Sequence, residues 1–226
     1  MKYKLFLFDL DDTLLDFKKS EELSFQLTLE SFGIKDTNRV LFNDYQVINK
    51  NLWKLFEENK TTKDFLKIER FRKTFAQNGI ELNPEIASKR YLEALPTTVV
   101  LIDYAEELCK ILSQRGEIGI ITNGIHHVQT QRIQNSSLAP YISFVSVSEM
   151  CGYAKPDARF FDFTTKLAKD FSKEKTIIIG DRLDADILGA KNFGIDSCWF
   201  NPLGAEHTED ISPNYNIRSL KEFSEF

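Results

Sequence analysis

Residues 4–13 read KLFLFDLDDT: four consecutive apolar side chains, Leu5 to Phe8, run directly into three aspartates and a threonine. A short unbroken apolar run predicts a buried strand, and residues 4–9 are assigned to one. Its end is acidic. A calcium loop is the bland alternative for such a cluster, but the stretch lacks the glycine at the sixth loop position and the late glutamate. A strand also precedes it where an EF-hand needs a helix.

Beyond residue 100, apolar runs alternate with helical spacings. Ile102, Ala105, Leu108 and Leu112 predict a helix, followed by Gly116; Glu117–Thr122 (EIGIIT) predicts a strand, 126–136 a helix and 144–148 a strand. Phe160, Phe161, Thr164, Leu167 and Phe171 predict a further helix. Thr176–Gly180 (TIIIG) then reads as a strand, 185–193 as a helix and 195–200 as a strand. This alternation predicts an α/β fold, a parallel sheet with helices on both faces. In such sheets ligands bind beyond the carboxyl ends of the strands.

Between Asp16 and about residue 95 the punctuation is helical. Leu41, Tyr45, Ile48, Leu52 and Phe56 recur at three-to-four spacing, as do Phe65, Ile68, Phe71 and Phe75. Asn83-Pro84 predicts an N-cap followed by proline in the first turn. Leu23, Phe25, Leu27 and Leu29 alternate like a strand, but the residues between them are not β-branched types and Gly33 stands where a helix would end, so the segment is read as helix.

The chain has 226 residues, 29 basic and 34 acidic side chains and a net charge of −5; 42% of residues are apolar and 28% charged. That is globular composition. The acidic balance argues against binding a nucleic acid polymer or an anionic membrane. No apolar run approaches the roughly 18 residues of a membrane span, and the apolar stretch after Lys4 is too short for a signal peptide. Cys109, Cys151 and Cys198 are dispersed, so reduced thiols and a cytoplasmic location are expected. His126 and His127, adjacent on a helix, diverge by about 100° and do not make a joint metal site.

The strand ends carry the chemistry. The first holds Asp9, Asp11, Asp12 and Thr13; the strand near 120 ends in Thr122-Asn123-Gly124; Lys155-Pro156 follows the next; Gly180-Asp181 ends the strand near 178, with Asp186 five residues on. Such a set suits phosphoryl transfer. One carboxylate attacks phosphorus, a second serves as acid and then base, and Mg²⁺ joins acidic side chains that would otherwise repel. Lysine and threonine neutralise the phosphoryl oxygens.

In order and in strand-end context, these four motifs resemble the haloacid dehalogenase-like (HAD) hydrolase superfamily: DxDxT at Asp9/Asp11/Thr13, a threonine at Thr122, Lys155-Pro156, and GDxxxxD at Asp181/Asp186. The resemblance spans residues 4–200. It implies a Rossmann-like catalytic core, 1–16 and 96–226, with an all-helical cap inserted at 17–95. It implies Asp9 as nucleophile and Asp11 as general acid/base. Thr122, Asn123 and Lys155 would hold phosphate. Mg²⁺ would be held by Asp9, Asp181, Asp186 and Asp11, the last through its main-chain carbonyl. Asp184 lies outside the pattern, about 200° from Asp186 on a helix, and is read as a helix N-cap.

Asp11 also favours phosphate esters over haloacids, since carbon–halogen cleaving members lack an aspartate there. The segments DYQVINKNLW at 44–53, IGIITNG at 118–124 and CWFN at 198–201 resemble a bacterial pyrimidine 5′-nucleotidase branch. That resemblance implies a nucleoside monophosphate as the small-molecule partner. Asn49, Lys50 and Trp53 are candidate substrate contacts, Asn49 and Trp53 lying four apart on one helical face. A phosphatase or phosphomutase for a sugar phosphate or another small phosphometabolite stands as the alternative. A receiver-like phosphate switch would be shorter, would lack the insert and would carry its aspartate on a later strand.

Overall fold

The computed structural model describes residues 2–206 and 210–224. Its centre is a six-stranded, wholly parallel sheet of β1 (Leu5–Phe8), β2 (Glu117–Thr122), β3 (Phe144–Val147), β4 (Thr176–Gly180), β5 (Asp196–Phe200) and β6 (Tyr215–Ile217), in the order β3-β2-β1-β4-β5-β6. The first strand in sequence is thus central, paired with β2 on one side and β4 on the other. Phe8 stands opposite both Ile120 and Ile179.

Successive side chains on a strand point to opposite faces, which explains why β1 is apolar throughout. Phe6 and Phe8 pack on one face with Ile118, Ile120, Ile177 and Ile179, covered by Leu108 and Leu112 of α5 (Ala105–Ser113) and Phe223 of α10 (Leu220–Ser224). Leu5 and Leu7 pack on the other with Ile121 and Ile178. Phe160 and Phe161 of α8 (Ala158–Thr165) and Phe193 of α9 (Leu188–Phe193) cover them. A sheet covered on both faces wants continuous apolar runs rather than alternation. The fold is a Rossmann-like α/β core with an all-helical insertion.

The chain divides into two compact units, one of Met1–Phe17 with Val99–Phe226 and one of Lys18–Thr98. The ends of the insertion are fastened to each other within the first unit. The Asp16 amide donates to the Val100 carbonyl at 2.9 Å, the Ile102 amide to the Leu14 carbonyl at 2.9 Å, and Leu15 bridges to Leu101.

The helical unit is built on α1 (Phe17–Glu30), α2 (Val40–Glu57), α3 (Lys63–Gln77) and α4 (Pro84–Ala94). The alternating leucines of α1 resolve into two helical faces: Phe25 and Leu29, four apart, are buried, whereas Leu23 and Leu27 are exposed. Phe25, Tyr45, Phe71 and Tyr91 form an aromatic centre. The Arg70 guanidinium lies 4.5 Å from the Tyr91 ring centroid. Asn83 caps α4 as its sequence predicts, its Oδ1 accepting from the amides of Glu85 and Ile86 at 2.8 and 3.1 Å.

Some boundaries differ from the sequence reading. Helix α8 ends at Thr165 and does not reach Leu167 or Phe171: the Lys166 and Leu167 amides donate to the Phe163 and Thr164 carbonyls, three residues back, and the Lys169 amide donates to Glu117 Oε2 at 2.9 Å. Ile102 precedes α5 and belongs to the fastening just described. Helix α6 (His126–Gln134) begins as expected, but a four-residue helix, α7 (Ser148–Cys151), follows β3 directly. A π-helical turn, Leu183–Ile187, precedes α9. Asp184 is not an N-cap: it lies inside that turn and accepts from Arg182 Nε and an Arg182 terminal nitrogen at 3.0 and 2.7 Å.

Candidate active site

Parallel strands bring their carboxyl ends to one edge of the sheet, and the candidate residues gather at the ends of β1, β2 and β4. Asp9 is the first residue past β1, its amide donating to the Ile179 carbonyl at 2.9 Å. Thr122 is the last residue of β2 and Asp181 the first past β4. The Trp199 indole, on β5, holds the Asp181 carbonyl at 2.7 Å.

Lys155 comes from the loop between α7 and α8. Asn123 fixes its main chain from both sides, Oδ1 accepting from the Lys155 amide at 2.9 Å and Nδ2 donating to the Lys155 carbonyl at 3.0 Å. The side-chain amide of Asn123, a candidate phosphate ligand, is thus occupied in placing Lys155. The lysine Nζ then donates to Asp9 Oδ1 at 2.5 Å, Asp186 Oδ1 at 2.7 Å and the Ile121 carbonyl at 2.9 Å.

Asp186 is buried, and its Oδ2 accepts from the Arg182 amide at 3.1 Å. Its approach to the sheet requires a glycine at 180. A Cβ there would lie 2.3 Å from Asp186 Cγ. Among the described residues, the hydroxyl of the threonine of the first motif makes two long contacts, 3.5 Å to Asp9 Oδ2 and 3.4 Å to Asp181 Oδ1.

Asp9, Asp181 and Asp186 each offer a carboxylate oxygen within 4.8 Å of the others. The electrostatics of this group are unfavourable by themselves. Burial first, then the charges of Asp186, Asp181 and Asp11, hold the Asp9 carboxyl well above the ordinary range against the pull of Lys155. Burial and the charge of Asp186 push Asp181 up to about 7. Burial also opposes the charge on Lys155, but Asp186 and Asp9 outweigh it and raise its pKa. Three crowded carboxylates answered by one ammonium form an all-oxygen donor set that fits a hard divalent cation.

The Asp11 carboxyl is engaged by α6 rather than by Lys155. Its Oδ2 accepts from Gln129 Nε2 at 2.7 Å and its Oδ1 from Arg132. Gln129 Nε2 also donates to Thr122 Oγ1 at 3.0 Å, and Arg132 to Gln129 Oε1 at 2.9 Å. Sequence reasoning passed over both residues. A signal was present: on α6 they share the inward stripe with Val128 and Ile133, where four apolar side chains would be ordinary.

His126 and His127 are exposed. In the helical unit, the Asn49 amide is engaged on both sides, Nδ2 donating to Glu21 Oε1 at 2.7 Å and Oδ1 accepting from Arg70 at 3.2 Å. Asn49 is buried, Lys50 is exposed, and Trp53 is partly exposed, edge-on to Phe56. The expected shared face of Asn49 and Trp53 is therefore split between an interior network and the surface.

A family model for haloacid dehalogenase-like hydrolases matches residues 6–200. The chain belongs to this family. As an HAD hydrolase it is similar along its whole length to proteins of related name. It is 38% identical to the pyrimidine 5′-nucleotidase PynA of Streptococcus pneumoniae over 98% of this chain and 94% of that one. It is 29% identical to the pyrimidine 5′-nucleotidase YjjG of Escherichia coli over 100% and 98%. A crystal structure of the HAD-hydrolase YfnB of Bacillus subtilis, bound to magnesium, superposes with a TM-score of 0.91 at 37% identity, covering 100% of this chain and 98% of that one. Among the described residues, no helix of this HAD hydrolase is long and apolar enough to cross a membrane.

Proposed function

We propose that this HAD hydrolase is a Mg²⁺-dependent phosphomonoesterase acting through an aspartyl-phosphate on Asp9, with pyrimidine nucleoside monophosphates as substrates. The observation that carries the chemistry is a buried carboxylate at the end of the central strand, contacted by Lys155 and two residues away from a second carboxyl. The full-length likeness to two proteins named as pyrimidine 5′-nucleotidases supports the substrate class.

In this reading an Asp9 carboxylate oxygen attacks phosphorus. The ester P–O bond breaks, its electron pair leaves on the substrate oxygen, and that oxygen takes a proton from the Asp11 carboxyl. Water then attacks the phosphorus of the aspartyl-phosphate and gives a proton to the Asp11 carboxylate. The acyl P–O bond breaks, which frees phosphate and regenerates Asp9. Thr122 and Lys155 hold the non-bridging oxygens. Mg²⁺ bound by Asp9, Asp181, Asp186 and the Asp11 carbonyl would supply charge neutralisation at the phosphoryl group. Lys50 and Trp53 are the α2 residues proposed to touch the nucleotide, and Asn49 holds the interior network of that helix.

The test is a screen of nucleoside monophosphates and sugar phosphates, with Mg²⁺ and with chelator, read by release of inorganic phosphate. Metal-dependent release that is fastest from dUMP or dTMP is expected. Preference for sugar phosphates overturns the nucleotide assignment, and an isomerised product with no phosphate released overturns the hydrolysis.

A further inference from the structure

Arg132 is 1% exposed and Gln129 2%. A guanidinium taken out of water costs several kcal/mol unless it is well paired, and an apolar side chain of similar size often serves stability as well or better. Arg132 is incompletely paired. One terminal nitrogen serves Asp11 Oδ1 and Gln129 Oε1, while Nε and the other terminal nitrogen have no hydrogen-bond partner among the described residues. Three of its five N–H groups are therefore unmatched. Its remaining neighbour of note is the Phe17 ring, 5.4 Å from the guanidinium carbon. A residue selected for packing would not leave that many donors open, so the contact that accounts for Arg132 is the one with Asp11.

Gln129 supplies the other half. Its Nε2 reaches Asp11 Oδ2 at 2.7 Å and Thr122 Oγ1 at 3.0 Å, and Thr122 Oγ1 in turn accepts from the Gly124 amide at 3.1 Å. Asp11 sits on a loop, whereas Gln129 and Arg132 sit one helical turn apart on α6 and grip one carboxylate oxygen each. A carboxyl group held at both oxygens has its plane fixed. Through Gln129 that plane is referred to the end of β2.

We propose that Arg132 and Gln129 are positioning residues for Asp11: they set the orientation from which its carboxyl exchanges a proton with the substrate oxygen and then with water. This rests on the reading of Asp11 as general acid/base given above. Misplacing a reacting group by about 1 Å can lower a rate about 10²-fold, so the expected defect lies in the chemical steps and not in the binding of substrate.

p-Nitrophenyl phosphate separates the two half-reactions, because its leaving group departs without a proton whereas attack by water still needs the base. Rapid-quench measurement with this substrate and Mg²⁺ is expected to show, for Arg132→Met and Gln129→Met, a burst of about one equivalent of p-nitrophenol per protein, followed by turnover slowed about 10²-fold, with KM falling alongside kcat because the phosphoenzyme accumulates and kcat/KM little changed. Arg132→Lys should recover part of the slow phase. Asp11→Asn is the reference. If Asp11→Asn shows no burst and turns over normally, the acid/base reading fails. If Asp11→Asn behaves as expected while Gln129→Met and any folded Arg132 variant match the parent, the positioning proposal fails alone. A uniform loss of both phases, or a raised KM, also overturns it. Thermal midpoints identify a variant that is simply unfolded, and Gln129→Met, close to isosteric, keeps the question answerable in that event.

Discussion

Replacing Lys155 with methionine is the sharpest probe of how the acidic cluster is held. The substitution removes an ammonium whose side chain is buried and which donates to Asp9, Asp186 and the Ile121 carbonyl, and it leaves two buried carboxylates facing each other. Removing one partner from a buried ion pair costs about 3–5 kcal/mol. For a chain of this size each kcal/mol shifts the thermal midpoint by about 2–4 °C, so a fall of roughly 10 °C is expected. The size should depend on pH. Carboxylates left without the lysine can relieve their repulsion by binding protons, and burial has already raised Asp9 and brought Asp181 up to about 7. The loss is therefore largest near about pH 8 and shrinks toward about pH 5. Circular dichroism melts of parent and variant at both pH values, with and without Mg²⁺, provide the measurement, and added metal should recover part of the loss. An unchanged midpoint near pH 8, or the same fall at both pH values, would refute the picture of Lys155 as the internal counter-charge.

Asp9→Asn should lower phosphate release by about 10³-fold or more while the melt is unchanged or slightly higher; substantial turnover in the purified variant removes the nucleophile assignment. Gly180→Ala places a methyl 2.3 Å from Asp186 Cγ, and calorimetry should find a stability loss of about 1–3 kcal/mol together with weakened Mg²⁺ binding. The parent protein without metal should lose stability with rising pH. A folded-state pKa of about 7 for Asp181, against 3.8 ordinarily, gives a contribution that is full below 3.8 and lost as pH rises through about 7; a metal-free midpoint flat across that window contradicts it. Asn83→Ala removes two accepted amide bonds at the start of α4 and should cost about 1 kcal/mol by denaturant titration, with turnover unaffected.

The central strands were legible because each is a short apolar run with its chemistry at the next residue: Phe8 then Asp9, Ile121 then Thr122, Gly180 then Asp181. Strand β6 offered no such signal. It is three residues long at the sheet edge, only Ile217 is buried, and what specifies it is tertiary, the Asn201 amide donating to the Ile217 carbonyl at 2.7 Å. The end of α8 shows the same limit of local spacing: the apolar pattern continues through Phe171, whereas the main chain tightens to three-residue bonding at Lys166 and Leu167 and the Lys169 amide goes to Glu117. At the site, Asp184 looked like a cap because an aspartate after a strand commonly is one, whereas its own neighbour Arg182 claims it. Gln129 and Arg132 were passed over as functional residues because polar side chains on a helix usually read as solvated, and their place on the inward stripe with Val128 and Ile133 gains meaning only once Asp11 is brought beside them.

The fastening of Leu14, Leu15 and Asp16 to Val100, Leu101 and Ile102 makes everything between them, from the standpoint of the sheet, a closed loop. The entropy of closing a flexible loop rises only with the logarithm of its length, by about 0.6 kcal/mol per doubling. Once the two ends are joined, lengthening, shortening or replacing the helical unit changes the stability of the sheet little. One residue added within β1 would instead turn Asp9 to the opposite face. The chain thus pairs a segment that tolerates almost no change of length with one whose length is nearly unconstrained, and the two can diverge at very different rates.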